Sequence, residues 1–466
     1  MTVRRSDRIV RGVLLLTLLL TAGCTGDSYE PSAPGNSSAA QFARTVSTSL
    51  TVSAASPAYG HRGETGKPVT ITGSGFSVGA VVAWERNGVA DPNITVQSAQ
   101  VVSATQIDAI ITISESADLA FYDIAVTNAD RKKGVGTEQF EVTTAISIGS
   151  LGANAEIDGT NDQIEGPRAV GWAVQGGTQY AIYWPDANGG IGTLGTGNAN
   201  AISQDGRTIG GINGGSAVVW TADAGSWNRT ALPVSAEAVD GRVQTILSDA
   251  SGAALIAGGA ERFKTGKGNP IAARPRLWHY DGTSWQMQAL SLPADLTAVV
   301  WGVNALGQST GGPGYYWDAD GTFTALPGSG ALARAISADG TIVVGAGPPA
   351  RKGGETVGAY WTRSGDIVNG YGPWTGPVTL PGGCARAVGI DSQNRILANR
   401  CASSTRFVSA VFLPPYDAAS MITLHGTGDR TDGGTAWAIS PNGSLIGGRA
   451  VSGGADVAII WSGIFP

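Results

Sequence analysis

Beyond about residue 50 the chain reads as short runs in which apolar and polar residues alternate over about four to eight positions, each run ending at a polar turn closed by Gly. That period predicts strands, and no segment after the N-terminus carries a sustained helical stripe. Between Ile148 and Pro466 the runs form one sentence repeated seven times. An apolar pair enters a polar turn ending in Gly, a Gly-ended strand follows, and an apolar strand usually closed by Trp completes the phrase. The clearest copies are Ala201-Ile-Ser-Gln-Asp-Gly206 leading to Trp220, Ala335-Ile-Ser-Ala-Asp-Gly340 leading to Trp361, and Ala438-Ile-Ser-Pro-Asn-Gly443 leading to Trp461. The closing aromatic recurs at Trp184, Trp278 and Trp317, with Leu413 in its place in the sixth copy.

Each copy runs on into a further short strand, as at Thr230-Ala-Leu-Pro233 and Phe323-Thr-Ala-Leu-Pro327. Four strands in a repeat of about 46 residues is the arithmetic of a β-propeller blade. The ends are informative. Only five residues follow Trp461, whereas Ile146-Ser-Ile-Gly-Ser-Leu151 looks like a final strand with no blade before it. Pairing the two ends would close a ring and remove an exposed sheet edge. The expectation for 145–466 is therefore seven blades, with Ile146–Leu151 completing the seventh; an open array, or a ring of six or eight, is the alternative. The repeat resembles the HAF repeat of exported bacterial proteins, Ala335-Ile-Ser-Ala-Asp-Gly-Thr-Ile-Val-Val-Gly345 being the nearest copy, and blades one, three and four match it poorly. That resemblance implies no particular activity.

Residues 51–144 read as a second all-β unit. Val69-Thr-Ile-Thr-Gly-Ser-Gly-Phe76 alternates and then breaks at two glycines, and Ala109–Ile113, Tyr122–Asn128 and Phe140–Val142 add strands at sandwich spacing. With Pro57, Gly60, Gly73-Ser-Gly-Phe76, Val102-Ser-Ala-Thr-Gln-Ile107, Tyr122-Asp-Ile-Ala-Val126, Asn128 and Phe140-Glu-Val142, this stretch resembles an IPT/TIG domain. The resemblance implies an immunoglobulin-like β-sandwich serving as spacer or binding module. Arg131-Lys-Lys133 departs from the family's Gly-rich hairpin tip. Trp84 and Phe76 are expected in the core rather than in a ligand patch.

The N-terminus changes the setting. Arg4, Arg5, Arg8 and Arg11 precede the apolar run Val13–Leu20, a signal peptide over residues 1–23. The run ends at Thr21-Ala-Gly-Cys24, which resembles the bacterial lipobox except that Thr21 replaces the usual Leu. It implies lipidation of Cys24, a membrane anchor, and a flexible tether over 24–50. An ordinary cleaved signal with an incidental Cys is the alternative. With Thr25 rather than Asp after the Cys, the lipoprotein resemblance implies an outer-membrane or cell-surface destination.

Composition agrees with the strands and narrows the partners. Gly is abundant at 69 residues, and charged residues make up only 14 %, as suits many short strands joined by tight turns. The formal charge of −6 becomes −9 once residues 1–23, with four Arg and one Asp, are removed. An acidic chain without basic clusters argues against a nucleic-acid partner.

Candidate chemistry is sparse. Cys384 and Cys401 flank the turn Asp391-Ser-Gln-Asn394, and a symmetric hairpin pairs residues whose numbers sum to 785, as these two do. Outside the cytoplasm that predicts a structural disulfide, two buried thiols being the alternative if a bulge shifts the register. Asp318-Ala-Asp-Gly321 and Asp158-Gly-Thr-Asn-Asp162 have calcium-like spacing without the distal Glu of an EF-hand, and read as turns. His61, His279 and His425 lie in unrelated contexts, and there is no Gly-x-Ser-x-Gly elbow. Two longer loops, Glu261–Arg276 with five basic residues and Pro348–Glu355, are the candidate binding elements. The sequence thus leads to a non-catalytic envelope lipoprotein whose propeller binds an extracellular or periplasmic protein or glycan, with no cofactor, no metal and no assigned binding residue. A carbohydrate-active lyase or hydrolase is the runner-up, and a purely structural envelope component the third reading.

Overall fold

The computed structural model describes residues 49–465 apart from 149–153, 163–168, 186–190, 249–254, 265–270, 329–330, 349–355, 403–406, 426–433 and 453–454. Cys24, the signal segment and nearly all of the tether lie outside the described residues, as does most of the Pro348–Glu355 loop. One 3-10 turn, Ala418–Ser420, is the only helical element among the described residues.

The first unit is two stacked sheets. Strands Thr51–Ser56, Lys67–Ser74, Gln106–Ile113 and Ile94–Ser103 form one; Tyr59–His61, Lys133–Thr143, Ala120–Thr127, Val81–Arg86 and Val89–Ala90 form the other. Alternation places Val69 and Ile71 inward while Thr72 faces solvent. Trp84 and Phe76 are buried, and Trp84 meets Phe140 edge-on with ring centroids 5.6 Å apart. Burial of this kind makes them core residues, not a ligand patch.

From Ala145 onward the strands form seven four-stranded sheets among the described residues, each antiparallel. Blades one to six begin with the inner strands Ala155–Thr160, Asn198–Ile202, Asp240–Ser248, Val300–Val303, Leu332–Ile336 and Arg386–Ile390, and each takes its remaining strands in chain order. In blade five the outer strand follows a small inserted ribbon, Gly365–Asp366 with Gly370–Tyr371. Blade seven differs. It runs Thr435–Ile439, Leu445–Ser452 and Ala455–Ser462, and its outer strand is Ala145–Ser147 from the other end of the repeat region. Ala145 faces Trp461, Ile146 faces Ile460, and Ser147 faces Ile459. Blades one and seven also share a core in which Ile157 and Trp184 pack with Leu445 and Ile460.

The recurrent Trp has two tasks. It fills the gap against the preceding blade, and its indole N–H, which needs an acceptor once buried, donates to a carbonyl near the end of that blade's outer strand. Trp220 reaches Leu194 O at 3.1 Å, Trp278 reaches Pro233 O at 2.7 Å, Trp317 reaches Ser291 O at 2.7 Å, and Trp361 reaches Pro327 O at 2.9 Å. Trp461 donates to His425 O at 2.6 Å. Trp184 of blade one donates to Ile148 O at 2.9 Å, beside the strand that blade seven borrows. In the sixth blade the position belongs to Phe412, not to the expected Leu413. Phe412 is buried opposite Ile396, as Trp220 is opposite Ile209, and Leu413 opens the following turn.

The sandwich meets this seam directly. Thr143, at the end of its last strand, donates from Oγ1 to His425 O at 2.6 Å, and the His425 ring lies 3.1 Å from Glu141 Oε1 and edge-on to Phe121.

Candidate functional site

The inner strands of all seven blades line one cavity of about 480 Å³. What they present to it is set by a defect repeated in every blade. The ladder between first and second strands slips by one residue at the same place each time, leaving one inner-strand residue unpaired: Asp158, Asn200, Gln244, Trp301, Arg334, Val388 and Trp437 in blade order. All seven line this cavity, and the same seven enclose a smaller one of about 150 Å³. Two residues further on, Thr160, Ile202, Ile246, Val303, Ile336, Ile390 and Ile439 add a β-branched collar.

Small residues make the bulge possible. A Cβ on Gly211 of the second strand would lie 2.0 Å from Asn198 O, and one on Gly345 would lie 1.7 Å from Leu332 O. Glycine occupies this place in six blades, and Ala398 in the sixth. After the bulge the inner strands converge, so a Cβ on Gly302 would stand 2.8 Å from Ala335 Cα of the next blade. The Ser-x-Asp-Gly words lie just beyond. Ser203 Oγ accepts from Thr208 N at 3.0 Å, Asp205 Oδ1 accepts from Arg207 N at 3.1 Å, and Gly206 takes φ of 69°. Those words make turns.

The ring is chemically uneven. Blades one to three contribute an acid and two amides, and blades four to seven contribute two indoles, a guanidinium and Val388. Arg334 stacks over the Trp301 ring at 4.2 Å, and Arg386, two residues before Val388, over the Trp437 ring at 4.9 Å. Burial, with the nearby Arg386 charge, pulls the Arg334 guanidinium down to about 10. Arg334 has no carboxylate partner among the described residues. Burial likewise lowers Arg242, whose Nε makes no hydrogen bond. On the acidic side Glu156 and Asp158 lie against one another. Burial pushes the Asp158 carboxyl well above its ordinary range, and the Glu156 charge adds to the shift. Burial raises Glu156 as well, opposed by Arg449, whose Nε stands 3.1 Å from its Oε2. No donor reaches the buried Oδ2 of Asp158, and Thr160 Oγ1 is also without a partner.

This strain gives a prediction. Folded Asp158 keeps its proton above the ordinary Asp value of 3.8, so native stability falls as pH rises from there toward the folded value. Asp158→Asn lacks that loss. It should stabilise the protein by about 1–2 kcal/mol at pH 8 and by almost nothing at pH 3.5. Urea titrations at both pH values check it; an equal effect at both would sink the assignment.

The residues singled out from sequence fare differently. Cys384 and Cys401 are joined by a disulfide, inside the core shared by blades five and six. Asp158 is not in a turn: it sits on the inner strand Ala155–Thr160, while Asp162 accepts from Asn442 N at 2.7 Å and Ser444 Oγ at 2.8 Å, tying blade one to blade seven. Asp318-Ala-Asp-Gly321 is a turn, closed by Gly321 N to Asp318 O at 2.8 Å. No cluster of three metal-ligating side chains occurs among the described residues. His61 and His279 contact Thr143 O and Gln288 respectively, and His425 belongs to the seam. In the Glu261–Arg276 hairpin, Arg262 pairs with Asp240, Arg276 with Glu261, and Arg274 donates to the carbonyls of Pro293, Ala294 and Leu296, so these three arginines serve the fold. The bulge residues were missed. Their one signal is that each directly precedes Gly, Ala or Thr and then a β-branched residue, at the place where the copies differ most.

No family model and no curated protein matches the chain. Among solved structures it is similar to an acylaminoacyl peptidase from Pyrococcus horikoshii at 12% identity and a TM-score of 0.40, over 66% of this chain and 51% of that one. TolB from Acinetobacter baumannii is similar at 11% identity and a TM-score of 0.32, over 74% and 78%. The tricorn protease is similar at 12% identity and a TM-score of 0.28, over 72% of this chain and 39% of that one. The chain thus spans about half of the peptidase and less of the tricorn protease.

Proposed function

We propose that this chain is a non-catalytic cell-envelope lipoprotein, exported and anchored through Cys24 at the outer membrane or cell surface, whose propeller binds a glycan residue in its central cavity. One observation carries the reading: seven side chains of six kinds, held out of the ladder by seven like bulges, converge on a single cavity of about 480 Å³. Amides and a carboxyl suit sugar hydroxyls, indoles suit the apolar faces of sugar rings, and a cavity of this size holds one or two sugar units.

The enzyme alternative has one observation behind it, the Glu156–Asp158 pair. Glycosidase carboxyls stand about 5 Å or more apart, with the scissile bond between them. Here the two side chains lie against one another on a single strand, which favours binding over hydrolysis.

The test is an array of glycans and envelope proteins probed with the detergent-solubilised full chain, each hit repeated with Val388→Trp, which fills the cavity from blade six. Glycan hits lost in the variant and released unaltered are the expected result. Hits insensitive to Val388→Trp would refute the cavity, and product release would establish the enzyme.

A further inference from the structure

The proposed ligand can be narrowed by the charges that face it. Around the ring, Arg334 of blade five lies across from Asp158 of blade one. The acids of blade one do not neutralise Arg334: Glu156 is engaged by Arg449, and Asp158 is packed against Glu156. The cavity therefore carries a guanidinium on one side, in a chain whose overall charge is negative. Arg334 is also held in a particular way. Stacking on Trp301 occupies the face of the guanidinium and leaves its in-plane N–H groups for a hydrogen-bonding partner. A planar donor edge of that kind matches a carboxylate, which accepts two parallel hydrogen bonds.

Resting on the glycan reading above, we infer that the bound sugar carries a carboxylate, that Arg334 receives this group, and that Asn200, Gln244 and Asp158 face the hydroxyl side of the same ring. Trp301 acts as a positioning residue, fixing the plane of the guanidinium. Neutral sugars satisfy the amide side and leave the guanidinium edge without an acceptor, so they bind more weakly.

The test compares glucuronate and galacturonate with their methyl esters, which keep the shape and lose the charge, by titration calorimetry on the full chain. A short oligouronide tests whether the unit is read alone or at a chain end. In the wild type the free acids should bind at least about tenfold tighter than the esters. Arg334→Gln should abolish that preference, and Arg334→Lys, which keeps charge without the planar edge, should restore only part of it. Acid and ester binding equally well would overturn the carboxylate inference and leave the glycan cavity standing. If acids, esters and the parent hexoses all fail to bind, and the oligouronide fails with them, both readings fall. The wild-type comparison needs no variant, so a misfolded Arg334→Gln protein does not blunt it.

Discussion

Trp461→Ala should destabilise the folded chain by about 3–5 kcal/mol, the largest effect expected of any single substitution described above. The side chain is buried against Leu397, Val411 and Leu424 of blade six, and its backbone pairs with Ala145, the first residue of the borrowed strand. Its removal leaves a cavity at the seam and deprives His425 O of one of its two donors. Trp461→Phe separates these contributions. It keeps most of the volume and loses the N–H, so it should cost about 1–2 kcal/mol. Urea unfolding followed by circular dichroism measures both. A loss below about 1 kcal/mol for the alanine variant would show that the two ends of the repeat region are held together by something other than this contact.

Removing the disulfide should cost roughly 3 kcal/mol, the chain-entropy value for a sequence separation of 17. The Cys384→Ala, Cys401→Ala protein tests it, and dithiothreitol should lower the wild-type midpoint toward the variant's while leaving the variant's unchanged. Nonreducing peptide mapping provides the chemical check; two free thiols in protein from the cell envelope would refute the bond. Both sulfurs lie in the core with Val344 and Ala387, so the variant also leaves small voids there, and the reductant arm separates the crosslink from the packing.

The cysteine pair shows how sequence arithmetic relates to the real hairpin. A symmetric turn at Asp391–Asn394 pairs residues whose numbers sum to 785. The folded turn is one residue longer, running from Asp391 N to Arg395 O, and its first ladder pair, Ile390 with Ile396, sums to 786. The Val388 bulge then removes one residue, so Ala387 faces Ala398 and the register returns to the expected value. Two departures cancel. Elsewhere the readable features are those that local chemistry dictates: alternation at Val69 and Ile71, the Ser203-Gln-Asp-Gly206 turn, and the Trp that seals six of the seven blades. The cavity was not readable because a bulge residue obeys no periodicity. Asp158 looked like part of a calcium-style turn because Asp-Gly is common turn chemistry, and only the pairing of Ile157 with Gly171 and Gly159 with Val170 shows it stranded between ladder positions.

A ladder residue answers to neighbours on both sides, and a core residue to every atom around it. A bulge residue answers mainly to the cavity it enters. Under the proposed reading, the seven positions that face the ligand are therefore distinct from the ladder positions that hold each blade together, and they are tied to neighbours only at particular places, as Arg334 is to the Trp301 ring and Asn200 to Val243 O. The repeated ladders supply the constancy; under the proposed reading, the seven unpaired positions carry the binding preference.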